Sequence, residues 1–389
     1  LSDWSSDVCS SDLGFPESLA SARDEMIALL SDLVNIDSPS RDPAGVDAVR
    51  DRIATFLDGE PGIRLSRMPI PGHADALLAE YLPQSTAAPG LLMGHMDTVF
   101  ARGEATARPF RIEAGRAYGP GVADMKAGLV MNAFVLRELA RSGLAVPLRA
   151  LFTVDEEIGS NGSAPVIREV AARSAFVLNS EPGRVSGNVV DGRRGGAFHR
   201  VTISGRAAHA GLNPADGRSA IVELAQKILA WTALTNPETG VSVSVGIVSG
   251  GQAVNMVAPE AEARIDVRFA TVESGEAAEV EIRRIAETPF TPDVDGRMEC
   301  LGKFLPMTGN AALTADYIAA AAQVGLALKA EFTPSCSDAG LTSSMGIPTL
   351  CACGPVGGGV HSEREFLELD TLVPRAMAAA RLVLSRAAA

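Results

Sequence analysis

Of the Asp, Glu and His residues in this 389-residue sequence, seven stand out because each follows an apolar run or sits in a glycine-rich loop: His95, Asp97, Asp124, Glu156, Glu157, Glu181 and His361. Those are the places where side chains converge on the carboxyl edge of a parallel sheet. Two imidazoles with several carboxylates and no thiolate make the donor set of Zn²⁺ or a similar divalent ion. Five ligands exceed the needs of one zinc, and a carboxylate shared between two ions accounts for them, with roughly 3.5–4 Å between the metals. Asp97 lies two residues after His95, so in extended chain both point the same way and one can hold the imidazole of the other. Glu156 and Glu157 are adjacent and cannot easily serve one role; one can bind metal while its neighbour takes a proton from water. Each motif also has a plainer reading: a polar strand end for GHMDT, and for Asp155-Glu156-Glu157 an acidic turn that complements a helix N-terminus.

The elements that would position these residues are legible in the apolar pattern. Leu19, Met26, Leu29, Leu30 and Leu33 predict a helix over 16–36, and Val49, Ile53 and Phe56 a second over 46–57. Strand-like runs follow at 63–68, 76–82 and 91–93, then a helix over 129–142, a strand over 148–154, a helix near 164–172 and a strand over 175–179. This alternation predicts an α/β fold, a mostly parallel sheet with helices on both faces. After about Asp191 the order becomes strand 197–204, helix 217–234, strands 241–248 and 260–269, helix 274–288 and strand 296–301. That βαββαβ order is ferredoxin-like, a unit whose ends lie together and which can be inserted into another domain. The first style then resumes with helix 313–324, strand 328–332, a helix after Asp338, strand 349–352 and a last helix over 372–386. The expected organisation is a catalytic domain in two parts, 14–192 and 303–389, around a lid and dimerisation domain at 193–302.

Composition bounds the partners. Lys and Arg total 34 against 47 Asp and Glu, a formal net charge of −13. A phosphate backbone or an anionic membrane surface would be repelled, so no nucleic-acid or membrane partner is expected. Five scattered cysteines without a CxxC pair read as free thiols in a reducing, cytoplasmic compartment. Residues 3–13, DWSSDVCSSDL, are low in complexity and unlike the rest; we read 1–13 as foreign to the fold, with the genuine start missing, so a periplasmic or secreted location stays open.

GHMDT (94–98), YGPGVADMKAG (118–128), TVDEEIGSNGS (153–163), SEP (180–182), GRAAHAG (205–211) and GPVGGGVHSE (354–363), in this order, resemble the metal-dependent carboxypeptidase and aminoacylase family. The nearest branch is the glutamate carboxypeptidases, and the likeness runs from about residue 17 to the end. The resemblance implies a zinc-exopeptidase fold and two Zn²⁺ per subunit, replaceable by Co²⁺ or Mn²⁺. Asp124 would bridge, His95 and Glu181 complete one ion, and Glu157 and His361 the other. It makes Glu156 the general acid/base, Asp97 the group that orients His95, and the Asp124–Met125 peptide cis. It further implies a homodimer in which His209 reaches the partner's site to hold an oxyanion, while Asn255 and Arg268 line the substrate. Arg268 could equally be a strand residue paired with Asp266 or Glu262. His73 and His199 match no motif.

Two departures bear on substrate. Where the family places an Arg beside a Pro, this chain reads Gly302-Lys303-Phe304-Leu305-Pro306, and Lys303 supplies charge without a two-pronged grip. A glycine-rich loop is replaced by Thr333-Pro334-Ser335-Cys336-Ser337. The expected activity is cleavage of an amide next to a free carboxylate in a small peptide or N-acyl amino acid. The alternatives are an N-acyl-amino-acid deacylase or desuccinylase and, from another class, a binding or scaffold protein that kept the fold.

Overall fold

The computed structural model describes residues 14–387; the stretch read as foreign lies outside them. In chain order the helices are α1 (Phe15–Ser21), α2 (Arg23–Val34), α3 (Pro43–Leu57), α4 (Glu104–Ala107), α5 (Ala127–Ser142), α6 (Ala164–Ala171), α7 (Ala220–Thr232), α8 (Val272–Glu287), α9 (Ala311–Ala322), α10 (Ala339–Ser344) and α11 (Leu372–Ala387). The strands are β1 (Ile63–Met68), β2 (Ala76–Tyr81), β3 (Gly90–His95), β4 (Arg111–Glu113), β5 (Arg116–Tyr118), β6 (Leu148–Thr153), β7 (Phe176–Asn179), β8 (Val189–Arg193), β9 (Gly195–Ser204), β10 (Ser242–Gly250), β11 (Glu260–Phe269), β12 (Asp295–Phe304), β13 (Ala330–Thr333), β14 (Thr349–Leu350), β15 (Gly357–Gly358) and β16 (Phe366–Glu368). The first expected helix is two, because Ala22 leaves helical geometry at ψ 6°.

The chain forms two compact units. The first takes the described residues up to Gly192, with Met307–Phe332 and Leu341 onward. Its central sheet runs β1-β2-β6-β3-β7-β14. Only β2 opposes its neighbours, so five of the six strands share a direction. Every residue of β2 and β3 is buried, as a strand covered on both faces requires. Helix α5 is buried from Ala127 to Ala140, which explains a sequence apolar on more than one face. A small antiparallel sheet, β15-β16-β5-β4, ties the chain after His361 to the loop before Asp124.

The second unit comprises Arg193–Pro306 and Thr333–Gly340. Its antiparallel sheet has the order β10-β11-β9-β12. Ala261, Ala263, Ile265, Val267 and Phe269 alternate inward along β11 and pack with Trp231 and Ile282 of the two helices. Among these apolar groups lies one ion pair: Lys227 Nζ is 2.9 Å from Glu223 Oε1, both wholly buried. Lys227 also donates to the carbonyls of Ile285 and Thr288, and Glu223 accepts from the backbone N–H groups of Phe290 and Thr291. Both charges are therefore fully bonded, the condition for keeping them in a core.

Candidate metal centre

Strands β3, β6 and β7 run parallel, so their carboxyl ends deliver His95, the 156–157 turn and Glu181 to one edge. Packing there is tight. A Cβ on Gly128 would fall 2.0 Å from the Ser180 carbonyl, so only glycine lets the start of α5 approach the strand that carries Glu181. Asp124 sits in the turn before α5, and the Asp124–Met125 peptide is cis. His361 lies between β15 and β16 with φ +59°, a left-handed conformation uncommon outside glycine.

The seven expected residues of the first unit meet. His95 Nε2 is 3.3 Å from Asp124 Oδ1 and 3.9 Å from Glu181 Oε1. His361 Nε2 is 3.3 Å from Asp124 Oδ2 and 3.2 Å from Glu157 Oε2. Each oxygen of Asp124 thus faces a different imidazole tip. Asp97 holds its neighbours in two directions: Oδ1 is 3.3 Å from His95 Nδ1, and its carboxylate accepts the backbone N–H groups of Glu156 and Glu157, each at 3.2 Å. Ser40 Oγ donates to Asp97 Oδ2 at 2.6 Å. Asp155 fixes the same turn by accepting from the N–H groups of Gly162 and Ser163.

The donors fit a cation. His95 Nε2 and Glu157 Oε1 are buried without a hydrogen-bond partner, and atoms of His95, Asp124 and Glu157 lie within 4.8 Å of one another. Buried acceptors left so are costly unless something positive stands among them. Without a cation, protons take that place. Burial pushes the His95 imidazole down, but Asp124, Asp97 and the charges of Glu156 and Glu181 hold it well above its ordinary value. Hydrogen bonds to Asp124 and Glu157 push His361 up to about 10. Burial raises Asp124, yet the two imidazoles keep its carboxyl well below the usual range. The His95 side chain is 2% exposed and that of His361 51%, so one end of the cluster is closed and the other opens outward.

The sequence reading passed over Glu365. The residue is 1% exposed, and its carboxylate accepts three backbone N–H groups from the Asp124 loop: Ala123 at 2.8 Å and Asp124 at 3.0 Å on Oε1, Gly121 at 3.3 Å on Oε2. Burial pushes it up to about 7 against those donors.

The other expected residues belong to the second unit. His209 and Asn255 are neighbours there: Ala210 N donates to the Asn255 carbonyl, and His209 bridges to Met256. The backbone N–H groups of Gly211 and Leu212 both donate to His209 Nδ1, which places the ring proton on Nε2. Arg268 pairs with Asp266 and donates to Cys336 Sγ at 2.7 Å. The ammonium of Lys303 is 2.9 Å from Glu279 of α8. Arg268 is in register with Gly196 and Lys303 with Ala197, so the two point to opposite faces of the sheet.

Residues 91–385 match the profile of Peptidase family M20/M25/M40. The chain belongs to that family. It is 30% identical to carboxypeptidase G2 of Pseudomonas sp. (strain RS-16), over 92% of this chain and 88% of that one. It is 28% identical to an acetylornithine deacetylase of Edwardsiella ictaluri, over 90% and 94%. A metallo-carboxypeptidase of the family from Sulfolobus solfataricus superposes with a TM-score of 0.74, covering 92% of this chain and 98% of its own at 16% identity, a likeness of fold. This member of the M20 family is a zinc-dependent hydrolase of the peptidase and amidohydrolase kind. Among the described residues no helix is long and apolar enough to cross a membrane.

Proposed function

We propose that the protein hydrolyses an amide bond next to a free carboxylate, releasing a C-terminal amino acid such as glutamate from a small peptide or N-acyl conjugate. The observation that carries this is Asp124 with one oxygen toward each imidazole tip, the arrangement of a carboxylate shared by two ions. His95, Asp124 and Glu181 would hold one Zn²⁺, and Asp124, Glu157 and His361 the second. Such ions, when bound, polarise a carbonyl and acidify water.

The protein's own groups do the rest. Asp97 keeps His95 oriented through Nδ1 and, through the two N–H groups it accepts, fixes where Glu156 and Glu157 leave the turn. Glu156 takes the proton of the attacking water and returns it to the leaving amine. His209, its proton on Nε2, is a preset donor for the carbonyl oxygen as it gains charge, supplied by the second copy of a homodimer. An open sheet edge supports pairing through the lid: β10 borders its sheet with Ile247 and Val248 exposed, and α7 exposes Ile221, Val222 and Leu229. Asn255 and Arg268 would receive the substrate's carboxylate.

The Lys303–Glu279 pair and the Asp266 bond to Arg268 leave less free charge for a glutamyl end and favour a second reading, deacylation of N-acyl amino acids, with desuccinylation served by the same metal site. Hydrolysis of N-acyl glutamates, N-acetyl and N-succinyl amino acids, with chelator and after zinc add-back, decides between them. The proposal expects the highest kcat/KM on a C-terminal glutamate; a faster N-acetyl or N-succinyl substrate selects the second reading, and no zinc-dependent turnover of any refutes both.

A further inference from the structure

The helical turn that carries Asp124 is broken at Asp124 and Met125, whose ψ of 91° and 37° leave helical geometry, so backbone donors at the break must find acceptors elsewhere. Three of them, on Gly121, Ala123 and Asp124, converge on the single carboxylate of Glu365. The small antiparallel sheet brings that carboxylate there: Phe366 is in register with Tyr118, so the residue before one lies beside the loop that follows the other. Glu365 also follows His361 by four residues, and its own N–H closes the intervening turn on the Ser362 carbonyl at 3.2 Å. One side chain therefore fastens the segment bearing Asp124 to the segment bearing His361.

We propose that Glu365 is a positioning residue for the metal centre, setting the direction in which Asp124 presents its two oxygens. The assignment rests on the metallohydrolase reading and adds a residue to it. A carboxylate suits the task because both of its oxygens accept; an amide of the same size offers one accepting oxygen and turns an NH₂ group toward backbone donors. Glu365→Gln thus keeps the volume and loses part of the clamp. The loop can then relax, and the carboxylate of Asp124 no longer faces both imidazoles at once.

The experiment compares wild type, Glu365→Gln and Glu365→Asp for Zn²⁺ affinity by competition with a chromogenic chelator, for the visible absorption spectrum after Co²⁺ loading, and for thermal unfolding of the metal-free chain. The expected result for Glu365→Gln is a 10- to 100-fold weaker hold on zinc, of the order seen when groups behind metal ligands are changed. It also includes a cobalt spectrum altered in position or intensity, with the metal-free unfolding midpoint changed far less. Wild-type affinity together with a wild-type cobalt spectrum overturns the proposal, whatever happens to the midpoint, because a role confined to holding the fold predicts that pattern. If Glu365→Gln does not fold, Glu365→Asp decides in its place: an intermediate affinity and a shifted spectrum support the assignment, and wild-type values refute it. A wild-type chain that takes up no metal would instead defeat the metallohydrolase reading itself.

Discussion

Loading zinc into the metal-free protein should expel two protons. His361, held up to about 10 by Asp124 and Glu157, and His95, held well above 6.5 by its surrounding carboxylates, both carry a proton near neutral pH when no cation is present. Both must be neutral to offer Nε2 to a metal. Each displaced proton makes apparent affinity change about tenfold per pH unit, so filling a two-ion centre should become about 100-fold more favourable between about pH 6.5 and about pH 7.5. Calorimetric titration of zinc in two buffers of different ionisation heat measures the release directly: the heats should diverge with a slope near two protons per subunit. A slope near zero, with affinity flat over that window, would mean that the imidazoles are already neutral and that the electrostatic account of the cluster is wrong. The same shift fixes the alkaline behaviour of the metal-free chain. His361 stabilises the fold fully below its unfolded value of 6.5, and that contribution is lost as pH rises through about 10. Metal-free protein should therefore lose stability toward alkaline pH while zinc-loaded protein does not.

Glu156→Gln should keep its zinc, since Glu156 is outside the proposed ligand set, and lose about 10²–10⁴ in kcat, as removal of a general base does; turnover near wild type removes Glu156 from the mechanism. In the second unit, Glu223→Gln would leave the buried Lys227 ammonium without its counter-charge, and the usual cost of breaking such a pair is about 3–5 kcal/mol, read as a drop in unfolding midpoint. Burial raises the Glu223 carboxyl, but the N–H of Phe290, Lys227 and the N–H of Thr291 together hold it below its ordinary 4.5. Its stabilisation is therefore present above pH 4.5 and disappears as pH falls through the lower folded value; an acid unfolding curve identical in wild type and Glu223→Gln would refute that assignment.

The proposed ligands stood out in the sequence because His95, Glu157 and Glu181 interrupt an apolar pattern at or soon after a strand end, while Asp124 and His361 sit in glycine-rich loops. His95 follows three buried residues and Gly94, and Glu156 and Glu157 follow six strand residues and two more. Glu365 carries no such signal. In sequence it is indistinguishable from Glu363, which is exposed, and the difference arises only when β16 pairs with β5. Strands of two or three residues, as in that small sheet, are too short for alternation to show. The face of Lys303 was hidden for another reason. A register shift between Cys300 and Gly302 inserts one residue into β12 and turns Lys303 to the side of α8, a reversal that alternation counted from either end of the strand cannot locate. The direction of β2 likewise follows from its pairing with β6 rather than from its wholly apolar burial.

Because the second unit interrupts the first, four of the five proposed ligands leave the ribosome before it and His361 only after it. During synthesis the nascent chain carries its proposed cation cage short of one ligand for as long as the intervening segment takes to translate. Ions captured in that interval would meet His95, Asp124, Glu157 and Glu181 without the outward-facing imidazole that closes the cluster. Secure retention of zinc is thus a property of the finished polypeptide, and metal release from stalled chains would separate assembly of the cage from folding of the sheet that holds it.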